Sequence, residues 1–369
     1  MCTGIGFVTK DGQVTFGRTQ EYALPLPVQA AIIPRKFVSK SQLLSPITFK
    51  YATLAVVMDG KMADMNLRDK MSKEMPDLKN ILSETSETEL IMDGVNEKGL
   101  AGGSFYFGNG YNKYAELETI QKLNKTPLRG EEVVTYVLAN YSSVQDIKEH
   151  INQDVQVANV KNLLGDAQPQ HYVFYDQSGA SISVEPDHYD GFTITDNKVK
   201  VFTNTPHFDW HLKNLQNYTG LSCYATPTRN IGEQEVFSGG LGSGLTGLPG
   251  DFTPQSRFVR AAILRDLMVV PENVEEALHH TYNLLNQFDI PYGAIRKTSP
   301  FNPEEETIQY TQYTSAYGLN PEKLILTIKT FEDNQISRLE MTPDLFEGEK
   351  VLRAAVSRKE SYHFLKIGV

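Results

Sequence analysis

The strongest constraint on the fold of this chain is a succession of short apolar runs punctuated by polar turns. Residues 5–9 and 14–18 flank Asp11-Gly12, a turn pair that predicts a β-hairpin at the start of the sequence. Further strand-length runs fall at 28–33, 53–58, 100–107, 171–174, 181–185, 191–195 and 199–203. Links such as Asp176-Gln177-Ser178-Gly179 are too short for a crossover helix, so the strands are expected to pair antiparallel. Helical spacing marks 130–141 and 143–152, with Ser143 and Asp146 as a capping box. Thr253-Pro254 caps a helix running through 257–270, and 272–288 gives another. Residues 61–88 are rich in charge, methionine and lysine, which predicts a helical insertion between two strands. With no repeat and no low-complexity linker, residues 1–369 read as one α+β domain.

Charge and hydropathy narrow the function. Against 35 basic residues stand 45 acidic ones, a formal charge of -10, which argues against general binding to nucleic acid or to anionic membranes. An anionic substrate would have to be received by local arginines, Arg18 and Arg257. No apolar stretch approaches the roughly 18 residues that span a bilayer. The opening residues lack the basic and apolar segments of a secretory signal, so the expected location is cytoplasmic. Two cysteines, Cys2 and Cys223, are too few for a disulfide scaffold or a multi-cysteine metal site.

Cys2 follows the initiator methionine, whose removal is favoured by a small second residue and exposes a thiol beside a free α-amine. The amine titrates near 7.7–8.0 and the thiol near 8.5, so the pair makes a self-contained base and nucleophile. Arg18 and Glu21 end the second strand of the hairpin and return to the chain start. There a guanidinium favours a thiolate and a carboxylate orients the amine. Asn204 ends a strand shortly before Pro206, and its amide is a neutral donor suited to an oxyanion hole. His207 and His211, with Asp209 between them, have metal-like spacing but lack the glutamate of HExxH, and read as a helix start. Gly242, Gly244 and Gly247 form a GxGxxG, but Leu248-Pro249-Gly250 denies it the helix that a dinucleotide site requires. GxSxG and P-loop motifs are absent from the sequence.

Taken together, Met1-Cys2-Thr3-Gly4, Gly17-Arg18-Thr19, Asp93-Gly94-Val95-Asn96-Glu97-Lys98-Gly99-Leu100, Glu185-Pro186-Asp187, Thr203-Asn204-Thr205-Pro206, Leu248-Pro249-Gly250-Asp251-Phe252-Thr253-Pro254 and Ser256-Arg257-Phe258 resemble the choloylglycine hydrolase family of N-terminal-nucleophile hydrolases. The resemblance spans nearly the whole chain and points to the branch that includes penicillin V acylases and bile salt hydrolases. It implies a four-layer αββα sandwich of two antiparallel sheets, usually a homotetramer. The implied reaction is hydrolysis of a linear amide through a thioester, with no metal and no organic cofactor. Cys2 would be the nucleophile, flanked by Arg18 and Arg257. Asn204 and the backbone N–H of Tyr106 would bind the oxyanion. Tyr106 fills a slot that is usually asparagine in bile salt hydrolases, which favours a penicillin V acylase, with Tyr22, Phe105 and Tyr106 lining an acyl pocket. Alternatives are hydrolysis of glycine- or taurine-conjugated bile salts, hydrolysis of N-acyl homoserine lactones, and an inactive homologue that binds an acylated ligand. Glu21 departs from the family's aspartate; the added methylene moves the carboxylate by more than the roughly 0.5 Å that a preorganised site tolerates. The 61–88 insertion would cover the site mouth or an oligomer face.

Overall fold

The computed structural model describes residues 1–23, 26–40, 46–58, 89–108, 110–161, 167–298 and 304–365. The expected insertion at 61–88 falls outside the described residues. The opening hairpin forms, but its strands run further than the apolar pattern indicates: β1 is Cys2–Val8 and β2 is Val14–Tyr22. Pairing with a strand almost 300 residues later extends β2 past Arg18 into a stretch of polar side chains.

The next strands are β3 (Val28–Ile33), β4 (Thr53–Met58), β5 (Ile91–Asn96), β6 (Ala101–Tyr106), β7 (Gln170–Tyr175), β8 (Ser181–His188), β9 (Gly191–Asp196) and β10 (Val201–Phe202). A small exposed hairpin, β11 (Arg229–Ile231) and β12 (Gln234–Val236), precedes β13 (Ile295–Thr298), β14 (Glu306–Gly318), β15 (Leu324–Thr330), β16 (Asp333–Met341) and β17 (Leu352–Ala355). One sheet has the order β10-β1-β2-β14-β15-β16, with β13 also on β14; the other runs β9-β8-β7-β6-β5-β4-β3-β17. Every pairing in both sheets is antiparallel.

Helices cover both outer faces. On the second sheet lie α1 (Val133–Asn140) and α2 (Val144–Asp154), the latter capped by Ser143 as expected. Beyond α3 (Phe208–Asn214), helices α4 (Pro254–Leu267) and α5 (Val274–Leu285) pack on the first sheet. Thr253 caps α4, and the hydroxyl accepts from Ser256 N–H. The result is the four-layer αββα sandwich.

Strand alternation divides the core. Val173 and Tyr175 of β7 face the first sheet, whereas Tyr172 and Phe174 pack with Val133, Val137 and Ile147 under α1 and α2. The same alternation governs the hairpin. Cys2 lies opposite Gln20 and Gly4 opposite Arg18, so the thiol, the guanidinium and the Gln20 amide share the face turned toward the second sheet. Glu21 falls on the other face, toward α4.

Candidate active site

The nucleophile candidate is enclosed. Cys2 is 3% exposed, and Met1 continues the β1 ladder over it: Glu21 N–H donates to Met1 O at 3.0 Å, and the Met1 amino group donates to Glu21 O at 3.2 Å. In this form the Cys2 nitrogen is a peptide N–H that marks where the α-amine stands once Met1 is removed. It donates to Asn204 Oδ1 at 2.7 Å.

Arg18 reaches the thiol from below, with Nη2 2.9 Å from Sγ. The same nitrogen donates to Gln20 Oε1, which also lies 3.6 Å from Sγ. Nη1 donates to the Ser104 carbonyl at 2.7 Å and to Met92 O at 3.2 Å. The guanidinium lies over the Phe105 ring, 4.5 Å from its centroid, and 3.7 Å from Asp93 Oδ2. Gly103 leaves the room for this; a Cβ there would come within 3.1 Å of Nη1. Burial works against the charge on Arg18, but Cys2, Tyr313, Asp93 and Glu21 outweigh it and hold the group above its ordinary range. Asp93 is itself wholly buried and accepts from Tyr313 Oη at 2.6 Å, Ser315 Oγ at 2.7 Å and Tyr317 Oη at 2.7 Å.

Arg257, from the second turn of α4, closes the opposite side. Its Nη2 donates to Asn204 Oδ1 at 2.7 Å, Nη1 to Thr3 Oγ1 at 2.8 Å and to Cys2 O at 2.5 Å, and Nε to Phe252 O at 2.9 Å. Arg18 and Arg257 are buried and engaged by the protein's own acceptors, so they fix the thiol and Asn204 rather than receive an anionic substrate as expected from charge alone.

Asn204 bridges the parts. While Oδ1 takes the Cys2 and Arg257 donors, Nδ2 donates to Tyr106 O at 3.0 Å. That leaves one amide hydrogen free for an oxyanion. Phe107 N–H donates to Pro169 O at 2.8 Å, so the alternating ladder turns the N–H of Tyr106, like its carbonyl, toward Asn204.

The expected acyl pocket changes in one member. Phe105 is 1% exposed, packed beneath Arg18 and against Phe202 at 5.1 Å, because strand alternation sends residues 105 and 106 to opposite faces. Tyr106 is 48% exposed, and Tyr22 is partly buried within its electrostatic reach.

Glu21 departs from the expected contact with the amine. Its Oε1 accepts from Thr311 Oγ1 at 3.2 Å, and Oε2 has no hydrogen-bond partner among the described residues. Opposite it, the β2–β14 register shifts between Thr311 and Tyr313. Burial raises the Glu21 carboxyl above its usual range, opposed by the N-terminal charge, Arg257, Thr19 and Arg18.

Gln20 and Asp93 are the residues that sequence reasoning passed over. Asp93 stood inside a quoted motif, but nothing local announces a partner 75 residues away. The histidine pair is placed differently: His207 stands at the N-cap position of α3, its ring near Glu185 and Asp187, and His211 Nε2 faces Asn204 O at 2.9 Å. Gly242 begins a 3₁₀ turn, Ser243–Leu245, instead of a phosphate-binding helix. Cys223 is exposed.

A buried N-terminal-side thiol, an adjoining main-chain nitrogen and an amide donor on an αββα sandwich define an N-terminal-nucleophile amide hydrolase. Residues 2–351 match the profile of linear amide C-N hydrolases, choloylglycine hydrolase family, and the chain belongs to that family. It is 34% identical over 360 residues to the bile salt hydrolase/transferase of Clostridium perfringens, with 95% of each chain covered. To the conjugated bile acid hydrolase of Lactobacillus gasseri it is 28% identical over 320 residues, covering 86% of this chain and 89% of the relative. Among solved structures, a mutant of the conjugated bile acid hydrolase from Clostridium perfringens matches with a TM-score of 0.80 and 30% identity, over 99% of this chain and all of that one. The penicillin V acylase of Agrobacterium tumefaciens shares the fold at a TM-score of 0.68 and 18% identity, over 96% and 91% of the two chains.

Proposed function

We propose that the chain, freed of Met1, hydrolyses the amide of glycine- or taurine-conjugated bile salts. The observation that carries the amide chemistry is the convergence on Cys2: its nitrogen lies 2.7 Å from Asn204 Oδ1 and its sulfur 2.9 Å from Arg18. Tyr106 taken alone favours penicillin V. The similarity to bile salt hydrolases over nearly full length reverses that order, since an 18% identical acylase speaks to fold alone.

In the reaction the α-amine takes the thiol proton and the thiolate attacks the amide carbonyl. The oxyanion is received by the free Asn204 amide hydrogen and the Tyr106 N–H. The ammonium then gives its proton to the leaving nitrogen, releasing glycine or taurine and a thioester. Water, deprotonated by the amine, attacks the thioester; bile acid leaves and the thiol is restored.

Initial rates on glycocholate and penicillin V, measured side by side, test the substrate. Glycocholate ahead by tenfold or more is expected, and the reverse order overturns the choice. An inert protein whose Cys2 alkylates no faster than Cys223 would instead be an acyl-ligand binder.

The enzyme is further proposed to act in the cytoplasm as a homotetramer. Supporting the latter, residues 222–250 form an arm that closes on itself through Ser222 N–H and Gly244 O at 3.0 Å, and that leaves Tyr224, Phe237 and Leu241 exposed.

A further inference from the structure

Behind Asn204 lies a buried ring that the mechanism above leaves unused. His171, on β7, is 1% exposed. Phe107 stacks on it, with centroids 4.3 Å apart and planes at 14°, and Phe202 lies 4.4 Å away. Its Nδ1 is 3.1 Å from Glu185 Oε1, and its Nε2 is 3.1 Å from the carbonyl oxygen of Thr203. The next carbonyl along the chain, that of Asn204, faces His211 Nε2. Two imidazoles thus hold the two consecutive carbonyls on either side of the Asn204 α-carbon.

The chemistry of the partners decides how many protons His171 carries. A carbonyl oxygen accepts and never donates. Burial raises the Glu185 carboxyl, but hydrogen bonds from His171, His207 and Phe208 N–H prevail and hold it at about 2; it is therefore a carboxylate at neutral pH. It also receives Phe208 N–H, 3.1 and 3.2 Å from its two oxygens, at the start of α3. A neutral imidazole has one N–H, and would press a bare nitrogen lone pair against one of these oxygens in a dry site. Burial lowers the ring's pKa below its ordinary value, against the raising pull of Glu185 and the Thr203 carbonyl; what calls for two ring hydrogens is the geometry, in which both nitrogens face acceptors at 3.1 Å. Other charged or titratable groups facing this site are Asp187 from β8, His207 and His211 from α3 and its cap, and Arg257 from α4 beyond Asn204.

We propose that His171 is a buried imidazolium clamped between Glu185 and the Thr203 carbonyl, and that it is a positioning residue which fixes the Asn204 amide toward the oxyanion. This rests on the amide-hydrolase reading of Asn204. Its charge and its role are read by different measurements.

In the Met1-free enzyme with ¹⁵N-labelled histidine, NMR at neutral pH should show both His171 ring nitrogens carrying hydrogen. Glu185→Gln removes the carboxylate charge that pairs with the ring and lets an amide N–H face Nδ1, so the ring should become neutral with a single N–H toward Thr203 while the fold persists. One N–H in the parent, or two in Glu185→Gln, overturns the clamp. His171→Gln should lower kcat about 10- to 100-fold with KM within about twofold, as expected when a catalytic group is misplaced. In an Asn204→Ala background the same change should cost less than about twofold. An equal loss in both backgrounds refutes action through Asn204. A parent that hydrolyses neither bile salt nor penicillin refutes the functional reading and the positioning role with it, while the ring signature still decides the charge.

Discussion

Asn204→Asp removes one donor and leaves the rest of the site nearly unchanged. The carboxylate keeps the volume and keeps an acceptor for Arg257 Nη2, 2.7 Å away, and for the Cys2 nitrogen, also at 2.7 Å. It loses the Nδ2 group that donates to Tyr106 O and whose second hydrogen is free for the oxyanion. In folding, the Tyr106 carbonyl loses its donor and faces a carboxylate oxygen instead, a cost of about 1–3 kcal/mol that the charge-assisted contact with Arg257 offsets in part, so stability should fall by no more than about 3 kcal/mol. In catalysis, losing an oxyanion donor should lower kcat by about 10²–10³, or roughly 3–4 kcal/mol in the barrier. Steady-state hydrolysis of glycocholate reads the second effect, urea denaturation the first. The rate of Cys2 alkylation separates damage to the nucleophile from loss of the donor and should hardly change. Turnover within about threefold of the parent would refute the role given to Asn204.

Asp93→Ala should destabilise the fold by about 3–5 kcal/mol, because it strands the buried Arg18 and three hydroxyls; a urea midpoint near the parent's would contradict that. His211 is held at about 4 by burial, against the pull of the Asn204 carbonyl, from an ordinary 6.5. A depressed value means its contribution is intact above pH 6.5 and is lost as pH falls toward 4, on the order of 3 kcal/mol. His211→Gln, which keeps a donor for Asn204 O, should flatten the stability profile in that window; an unchanged slope would assign the loss to other groups. If the proposed homotetramer assembles through the 222–250 arm, replacing those residues by a short glycine-serine link should give a smaller species than the parent in light scattering, and a shortened chain of unchanged mass per particle would exclude the arm.

Local signals in the sequence carried the hairpin at Asp11-Gly12 and the caps at Ser143 and Thr253, since each depends on residues within one turn. They stopped short at β2, whose outer half is polar and owes its strand conformation to β14. The candidate site divides the same way. Cys2, Arg18, Asn204 and Arg257 were legible because each belongs to a motif whose order along the chain is distinctive. Gln20 looked like an ordinary strand residue until the ladder set it across from Cys2. Glu21 finds Thr311, 290 residues away, through a register shift that no sequence pattern marks. Phe105 beside Tyr106 looked like a second pocket aromatic, and the two-residue period of the strand turned it inward.

Mass spectrometry of enzyme quenched during turnover of glycocholate tests the central claim most directly. The account predicts a chain lacking Met1 with a cholyl group in thioester linkage on Cys2. An active enzyme that retains Met1, or that carries the acyl group on any other residue, would contradict it.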